Sequence, residues 1–222
     1  MRIISITGKA GSGKDTIAKI VTDELTAIGL NVTKLSYAGP LKDCATLLWG
    51  WDRDRLEYDF DYKEGNTLDD GSPDLACEAL GMTRRVFMQR FGTEAMRQNI
   101  HQDVWIIALK LAIKRGDYDQ YDIGIIPDAR FINELKFVSD LGGRTIKVER
   151  SGAVKTLTDS TQHASELEWE QWNSWDAVVQ NYISENKSIK ENLELLKQIV
   201  ITNVLNPLIP QYHGYDYVKN TS

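Results

Sequence analysis

A chain of 222 residues is long enough for one compact α/β domain, or a core with an insertion, and short for two full domains. Its 26 basic and 32 acidic residues give a net charge of −6, which argues against a protein that binds nucleic acid along a basic surface. The chain has two cysteines, no signal-peptide pattern and no apolar stretch long enough for a bilayer. We therefore expect a soluble cytoplasmic protein with neither nucleic acid nor a membrane as partner.

Apolar segments and helical periodicities alternate along the chain. Five short apolar segments are predicted to be strands: 2–7, 32–36, 123–127, 145–149 and 177–180. Apolar residues at helical spacing predict helices at 17–28, 40–49, 83–99, 104–115, 131–141 and 189–200. This alternation predicts an α/β fold with a parallel five-stranded sheet flanked by helices, and ligands at the carboxyl ends of its strands.

The strongest chemical signal is the segment 8–16, GKAGSGKDT, which matches G-x-x-x-x-G-K between a strand and a helix. Glycines let backbone N–H groups turn toward phosphate oxygens, and the helix N-terminus adds a positive partial charge. The segment therefore predicts a P-loop that binds nucleotide phosphates. The predicted binding positions are Gly11, Ser12, Gly13, Lys14, Asp15 and Thr16.

Two residues of this loop are predicted to be catalytic. Lys14 would supply a point charge to the β- and γ-phosphates. Asp15 occupies the position where a serine or threonine usually reaches Mg²⁺, and Thr16 follows it. We expect Asp15 to hold the metal directly or through water.

The P-loop by itself does not choose among GTPases, motors and kinases. A GTPase should carry Asn-Lys-x-Asp, but the one Asn-Lys pair, Asn186-Lys187, is followed by Ser188 and Ile189. A motor ATPase would normally be larger. The choice among these classes must therefore come from a second phosphate-binding site.

The helix predicted for 83–99 offers such a site. Its polar residues spaced by four form one row: Arg85, Gln89, Thr93 and Arg97. Guanidinium, amide and hydroxyl groups can bind a phosphate and a base edge, and Gly92 would let a ligand approach the backbone. Trp105 could stack on a base, although tryptophan is more often a core residue. The alternative for the row is a solvated helix face, with apolar residues on the opposite side: Phe87, Met88, Phe91 and Ala95.

The third strand is followed by Asp128, Arg130 and Glu134. An aspartate at this point of a P-loop fold usually holds Mg²⁺ or its water shell, so Asp128 is a candidate for metal and substrate binding. Arg130 is predicted to be catalytic and to bind substrate, and Glu134 can orient its guanidinium or contact the substrate. The alternative is a helix-capping aspartate beside a surface ion pair.

Residues 150–166 have the composition of a lid. Arg150 ends the fourth predicted strand and could stabilise the transferring phosphoryl group. The segment beyond it would close over the donor phosphates and expel water. His163 is weak support, and Ser165 with Glu166 could simply begin a helix.

An acidic stretch, 52–78, carries ten acids and three bases within an insertion at 50–80. Its glycine, asparagine, serine and proline residues are typical of loops and predict a solvated, partly mobile insertion. A metal site is the alternative, but its acids lack regular ligand spacing.

Taken in order, several blocks resemble the bacteriophage deoxynucleoside monophosphate kinases. They are the P-loop, Tyr37-Ala38-Gly39-Pro40-Leu41-Lys42, Gln89-x-x-Gly92-Thr93-Glu94-x-x-Arg97, Asp103-x-Trp105, Asp128-x-Arg130-x-x-x-Glu134 and His163-x-Ser165-Glu166. The resemblance implies a single P-loop kinase domain over 1–222 with a nucleoside monophosphate (NMP)-binding insertion and a lid. It also implies Mg²⁺-dependent transfer of the ATP γ-phosphate to a deoxynucleoside monophosphate, giving the diphosphate and ADP.

The resemblance further implies roles for individual residues. Lys14, Asp15 and Thr16 would handle the donor and the metal, with Asp128 near the metal. The residues implied at the acceptor are Arg85, Gln89, Gly92, Thr93, Trp105, Arg130 and Glu134. Family members tend to pair, so a homodimer is expected. A dephospho-coenzyme-A or shikimate type of kinase, or a non-catalytic nucleotide-binding switch, remains the alternative.

Overall fold

The computed structural model describes residues 1–9, 11–151, 168–182, 184 and 186–208. The strands are β1 (Arg2–Gly8), β2 (Val32–Lys34), β3 (Ile123–Ile126), β4 (Arg144–Ser151) and β5 (Ala177–Tyr182). The α-helices are α1 (Lys14–Ala27), α2 (Gly39–Trp49), α3 (Arg53–Tyr58), α4 (Phe60–Glu64), α5 (Leu75–Leu80), α6 (Arg84–Gln89), α7 (Val104–Lys114), α8 (Ile132–Asp140), α9 (Ile189–Val200) and α10 (Asn206–Leu208). Two π-helical segments, Arg90–Gln98 and Ile201–Leu205, and a 3₁₀ turn, Glu168–Gln171, complete the secondary structure of this part of the chain.

The chain divides into two compact units. The first comprises Met1–Leu35 and Gly116–Ser222 and contains all five strands. The second comprises Ser36–Arg115 and contains helices α2 to α7. Within the described ranges, no helix is long and apolar enough to cross a membrane.

The sheet of the first unit is parallel throughout, in the order β2-β3-β1-β4-β5, which confirms the predicted fold class. Isoleucine and valine fill its central strands, and α1 and α9 bury their apolar faces in the same core. β1 ends with Gly8 opposite Val148 of β4, whereas β4 continues to Ser151. Arg150 was predicted to end this strand and lies one residue before its end, so the first two residues of the predicted lid, 150 and 151, belong to β4. The remainder of that predicted lid, 152–166 with His163, lies outside the described residues.

The acidic segment of the second unit follows its predicted loop character only in part, because its glycine, serine and proline residues lie at 65–74, between helices. It contains α3, α4 and α5, and each begins at an aspartate whose carboxylate accepts backbone N–H groups of the first turn: Asp52, Asp59 and Asp74. Leu56, Tyr62 and Cys77 of this segment enter the hydrophobic cluster of the unit. Part of the negative charge therefore caps helices and orders the chain, which the composition did not indicate.

The helix predicted for 83–99 changes its pitch near the middle. α6 ends at Gln89, and the chain continues as a π-helical segment to Gln98. Within that segment the indole Nε1 of Trp105 donates to Gly92 O at 3.0 Å, and a side chain that bonds into the helical ladder favours such a change. A π-helix closes its hydrogen bonds one residue later than an α-helix, so residues spaced by four still lie near one another on its surface, and the row stays a prediction. Ala95, one of the apolar residues opposite the row, is exposed.

Candidate functional site

The P-loop of the first unit connects β1 to α1 by a turn that glycine makes possible. Gly11 and Gly13 have φ values of +73° and +93°, in the left-handed region that other residues rarely adopt. Ser12 N donates to Lys9 O at 3.0 Å, and Ile17 N donates to Gly13 O at 3.0 Å as the helix begins. The first N–H groups of a helix have no partner within it, so this turn forms an anion-binding site.

The predicted catalytic residues of the loop lie in the first turn of α1. Lys14 is half-buried, whereas Asp15 and Thr16 are exposed. This location brings an amine, a carboxylate and a hydroxyl to the helix end where phosphates bind. The metal-binding role of Asp15 stays a prediction.

Two side chains, from the adjacent strands β4 and β5, donate hydrogen bonds to the backbone of the loop. Arg150 Nη1 of β4 donates to Gly11 O at 2.6 Å, and Asn181 Nδ2 of β5 donates to Ser12 O at 2.8 Å. Arg150 was predicted to act near the phosphates, and the structure brings it to the P-loop backbone. The contact of Asn181 with the loop was not predicted from the sequence. Its signal is the alternation along β5, where the core-facing positions run from Val179 to a polar Asn181.

The predicted residues after β3 lie beside one another at the start of α8. Glu134 is 3% exposed, and its Oε2 accepts from the backbone N–H groups of Arg130 at 2.7 Å and Phe131 at 3.2 Å. Glu134 therefore caps α8 and fixes the backbone at Arg130. The sequence predicted a contact of Glu134 with the guanidinium of Arg130 and did not indicate this contact with its backbone. Asp128 is half-buried and Arg130 is exposed. β1 and β3 are neighbours, so this segment follows the strand next to the one that leads into the P-loop.

The 3₁₀ turn supplies two contacts that the sequence did not indicate. Glu168 Oε1 accepts from Ile132 N at 3.2 Å, so α8 receives a second carboxylate at its N-terminus. Glu170 forms an exposed ion pair with Lys9 of the P-loop at 2.9 Å. The turn thus contacts both the loop and the helix that follows Asp128.

In the second unit, the predicted acceptor row has mixed surroundings. Arg85 pairs with Glu64 at 2.6 Å, Gln89 and Thr93 are half-buried, and Arg97 is buried. These residues still offer amide, hydroxyl and guanidinium groups along one helical stretch.

Gly92 and Trp105 have a packing role that differs from the predicted ligand contacts. A Cβ atom on Gly92 would lie 2.8 Å from Leu41 Cδ2, so the glycine permits close approach of α2. Trp105 is 7% exposed and donates its indole N–H to Gly92 O. This burial agrees with the alternative that Trp105 is a core residue, and its stacking on a base stays a prediction.

No cluster of three or more histidine, cysteine, aspartate or glutamate side chains in the described part of the chain could hold a metal ion. This finding gives no support to the alternative of an acidic metal site in 52–78.

Comparison with known proteins places these features in context. A family model described as deoxynucleotide monophosphate kinase matches residues 74–193, more than half of the chain. A protein of Acanthamoeba polyphaga mimivirus assigned as a deoxynucleotide monophosphate kinase is 30% identical over 199 residues, covering 86% of this chain and 92% of its own. The deoxynucleoside-5'-monophosphate kinase of Escherichia phage T5 is 24% identical over 211 residues, covering 74% and 83%. A solved structure from Thermus thermophilus is similar over 96% of this chain and 98% of its own, at 16% identity and a TM-score of 0.42.

Proposed function

We propose that this chain, which belongs to the deoxynucleotide monophosphate kinase family, takes the phosphoryl group from ATP with the help of Mg²⁺. Family membership establishes the reaction class: the protein is a kinase that phosphorylates deoxynucleoside monophosphates. The observation that carries the proposal for the donor is the P-loop itself, with Gly11 and Gly13 in left-handed conformations ahead of α1.

The donor phosphates would bind to backbone N–H groups of the loop and the first turn of α1. Lys14 would neutralise charge on the β- and γ-phosphates. Arg150 would also contact the transferring phosphoryl group. A guanidinium has five N–H donors, so its bond to Gly11 O is compatible with that role.

The residues near the loop have the chemistry that Mg²⁺ prefers. Asp15, Thr16 and Asp128 offer oxygen donors, and Mg²⁺ in kinases is commonly held by one or two carboxylates together with substrate phosphates and water. A site of this kind needs no cluster of three protein carboxylates. When bound, Mg²⁺ would supply charge neutralisation at the donor phosphates.

The acceptor is proposed to bind through two sets of residues. In the second unit, Arg85, Gln89, Thr93 and Arg97 would bind its phosphate and base. Gly92 and Trp105 would shape that stretch through their hydrogen bond. In the first unit, Arg130 would bind the acceptor phosphate as a planar fork, while Glu134 holds the backbone at Arg130 in place.

The chemistry needs positioning and charge more than covalent help. The acceptor is already a phosphate anion, so no strong base is required. The enzyme must instead bring two anions together, and Lys14, Arg130 and Arg150 supply positive charge in a protein whose net charge is −6. The homodimer implied by the family resemblance stays a prediction, which sedimentation analysis can test.

A coupled ADP-release assay tests the proposal. The acceptors are dTMP, dGMP, dCMP, dAMP and their ribose forms, with shikimate and dephospho-coenzyme A alongside. We expect at least one deoxynucleoside monophosphate to raise ADP release well above the rate without acceptor, and removal of Mg²⁺ with EDTA to abolish that increase. ADP release stimulated by shikimate or dephospho-coenzyme A alone would contradict the proposed acceptor.

A further inference from the structure

We infer that Asn181 is a positioning residue for the P-loop. Together with Arg150 it holds two successive loop carbonyl groups, and its own bond to Ser12 O turns the N–H of Gly13 toward the donor phosphates. The inference rests on the proposed function, in which this loop binds ATP.

The location of Asn181 follows from the register of the sheet. β1 ends at Gly8, opposite Val148, but β4 and β5 continue beyond that level and pair Arg150 with Asn181. Residues paired in register present their side chains to the same face of a sheet. Arg150 and Asn181 each lie two residues after a core-facing valine, Val148 or Val179, and so share the face of those valines. On this face, the side chains of β4 and β5 therefore change from apolar to polar just beyond the end of β1, where the P-loop begins.

The contacts made there are short and sequential along the loop. Arg150 binds Gly11 O, and Asn181 binds the next carbonyl, Ser12 O. Asn181 is 6% exposed, so its amide bonds in a site from which water is largely excluded. A Cβ atom on Gly13 would lie 2.3 Å from Asn181 Nδ2, which means that the amide rests directly against the loop backbone.

Because the peptide group is planar, the hydrogen bond to Ser12 O also fixes the direction of the N–H of Gly13. The C=O and N–H of one trans peptide point in opposite directions. Because Ser12 O is directed at Asn181, the N–H of Gly13 is directed away from β5. The preceding peptide is held at both ends, since Gly11 O accepts from Arg150 and Ser12 N donates to Lys9 O.

Such a loop is set before the nucleotide arrives, and preorganisation of this kind raises affinity by lowering the cost of ordering. A purely structural role for Asn181 would alter the melting temperature without altering the affinity of the folded protein for ATP. The two roles therefore differ in a measurable quantity.

The test is the Kd for ATP with Mg²⁺ and no acceptor, measured by titration calorimetry. Asn181→Ala is expected to raise the Kd about fivefold to a hundredfold, since the loop then loses the hydrogen bond that orders it and must be ordered when ATP binds. The KM for the acceptor should stay near the wild-type value. The matched control is Gln180→Ala, one residue earlier and on the opposite face, where the amide donates to Glu149 at 2.6 Å. Its Kd for ATP should equal that of the wild type.

A second substitution at the same position tests the inference if Asn181→Ala is uninformative. Asn181→Asp, which places a carboxylate against Ser12 O, should weaken ATP binding at least as much as alanine. If Asn181→Ala does not fold, Asn181→Asp gives the same measurement and should also raise the Kd. Wild-type affinity in either folded Asn181 variant would overturn the inference alone. A wild-type protein that binds no ATP would overturn the proposed function and the inference with it.

Discussion

Lys14→Ala is expected to lower kcat/KM by about a hundredfold to a thousandfold, the usual effect of removing one group that stabilises developing charge. Lys14 lies in the first turn of α1, directly after the left-handed Gly13. Alanine is a strong helix former, so the helix should be retained and the melting temperature should change little. Steady-state kinetics and thermal unfolding of the same preparation measure both quantities.

The matched control for this change is Lys19→Ala in the same helix. Lys19 is exposed and pairs with Asp23 one turn later, at 3.0 Å. An exposed pair of this type contributes little, so its loss should leave kcat/KM unchanged. Equal kinetics for the Lys14 and Lys19 variants would remove Lys14 from the donor site.

Arg84→Met is expected to destabilise the protein by about 3–5 kcal/mol, the cost of leaving one member of a buried ion pair without its partner. Arg84 has no exposed surface, and its Nη2 donates to Asp74 at 2.5 Å. The same guanidinium donates to the carbonyls of Tyr62, Gly65 and Thr67 and lies 3.9 Å from the ring centroid of Tyr62. Urea unfolding monitored by tryptophan fluorescence gives the free energy of unfolding.

The neighbouring arginine provides the comparison for that measurement. Arg85 pairs with Glu64 at the surface, so Arg85→Met should change the free energy of unfolding by only about 0–1 kcal/mol. Similar losses from both variants would show that the buried pair at Arg84 is not what orders the acidic segment.

Asp74 adds a dependence on pH to the same pair. Burial raises the pKa of its carboxyl, but the N–H of Cys77 and the charge of Arg84 outweigh burial and hold that pKa below its usual value. A lowered pKa in the folded state stabilises the protein above the unfolded value of about 3.9, and this contribution is lost as the pH falls through the folded pKa. Asp74→Asn keeps the helix cap, so its stability deficit relative to the wild type should shrink below about pH 4.

The sheet and the P-loop were predictable because their signals are local. Apolar runs, helical spacing and the glycines at positions 11 and 13 act through nearby backbone and do not require knowledge of distant partners. The segment after β3 was predictable for the same reason, because Asp128 and Arg130 follow directly on a short apolar run. The five strands agree with the prediction, although their end residues differ by one or two positions.

The parts that could not be predicted depend on partners far along the chain. The acids of 52–78 gave a composition typical of loops, and only the tertiary contact with Arg84 and the cap at Asp74 reveals an ordered segment. The change of pitch after Gln89 involves Trp105, which bonds to Gly92 thirteen residues earlier. Asn181 donates to Ser12 O, 169 residues earlier in the chain, so no local sequence pattern could predict this contact.

The central claim is that this protein moves the γ-phosphate of ATP onto a deoxynucleoside monophosphate. The most direct measurement follows the label from ATP labelled at that phosphate, in the presence of Mg²⁺ and a deoxynucleoside monophosphate, by separating the products. We predict that the label appears in the deoxynucleoside diphosphate in step with the ADP formed. Label released only as inorganic phosphate, at a rate that does not depend on the acceptor, would contradict the claim.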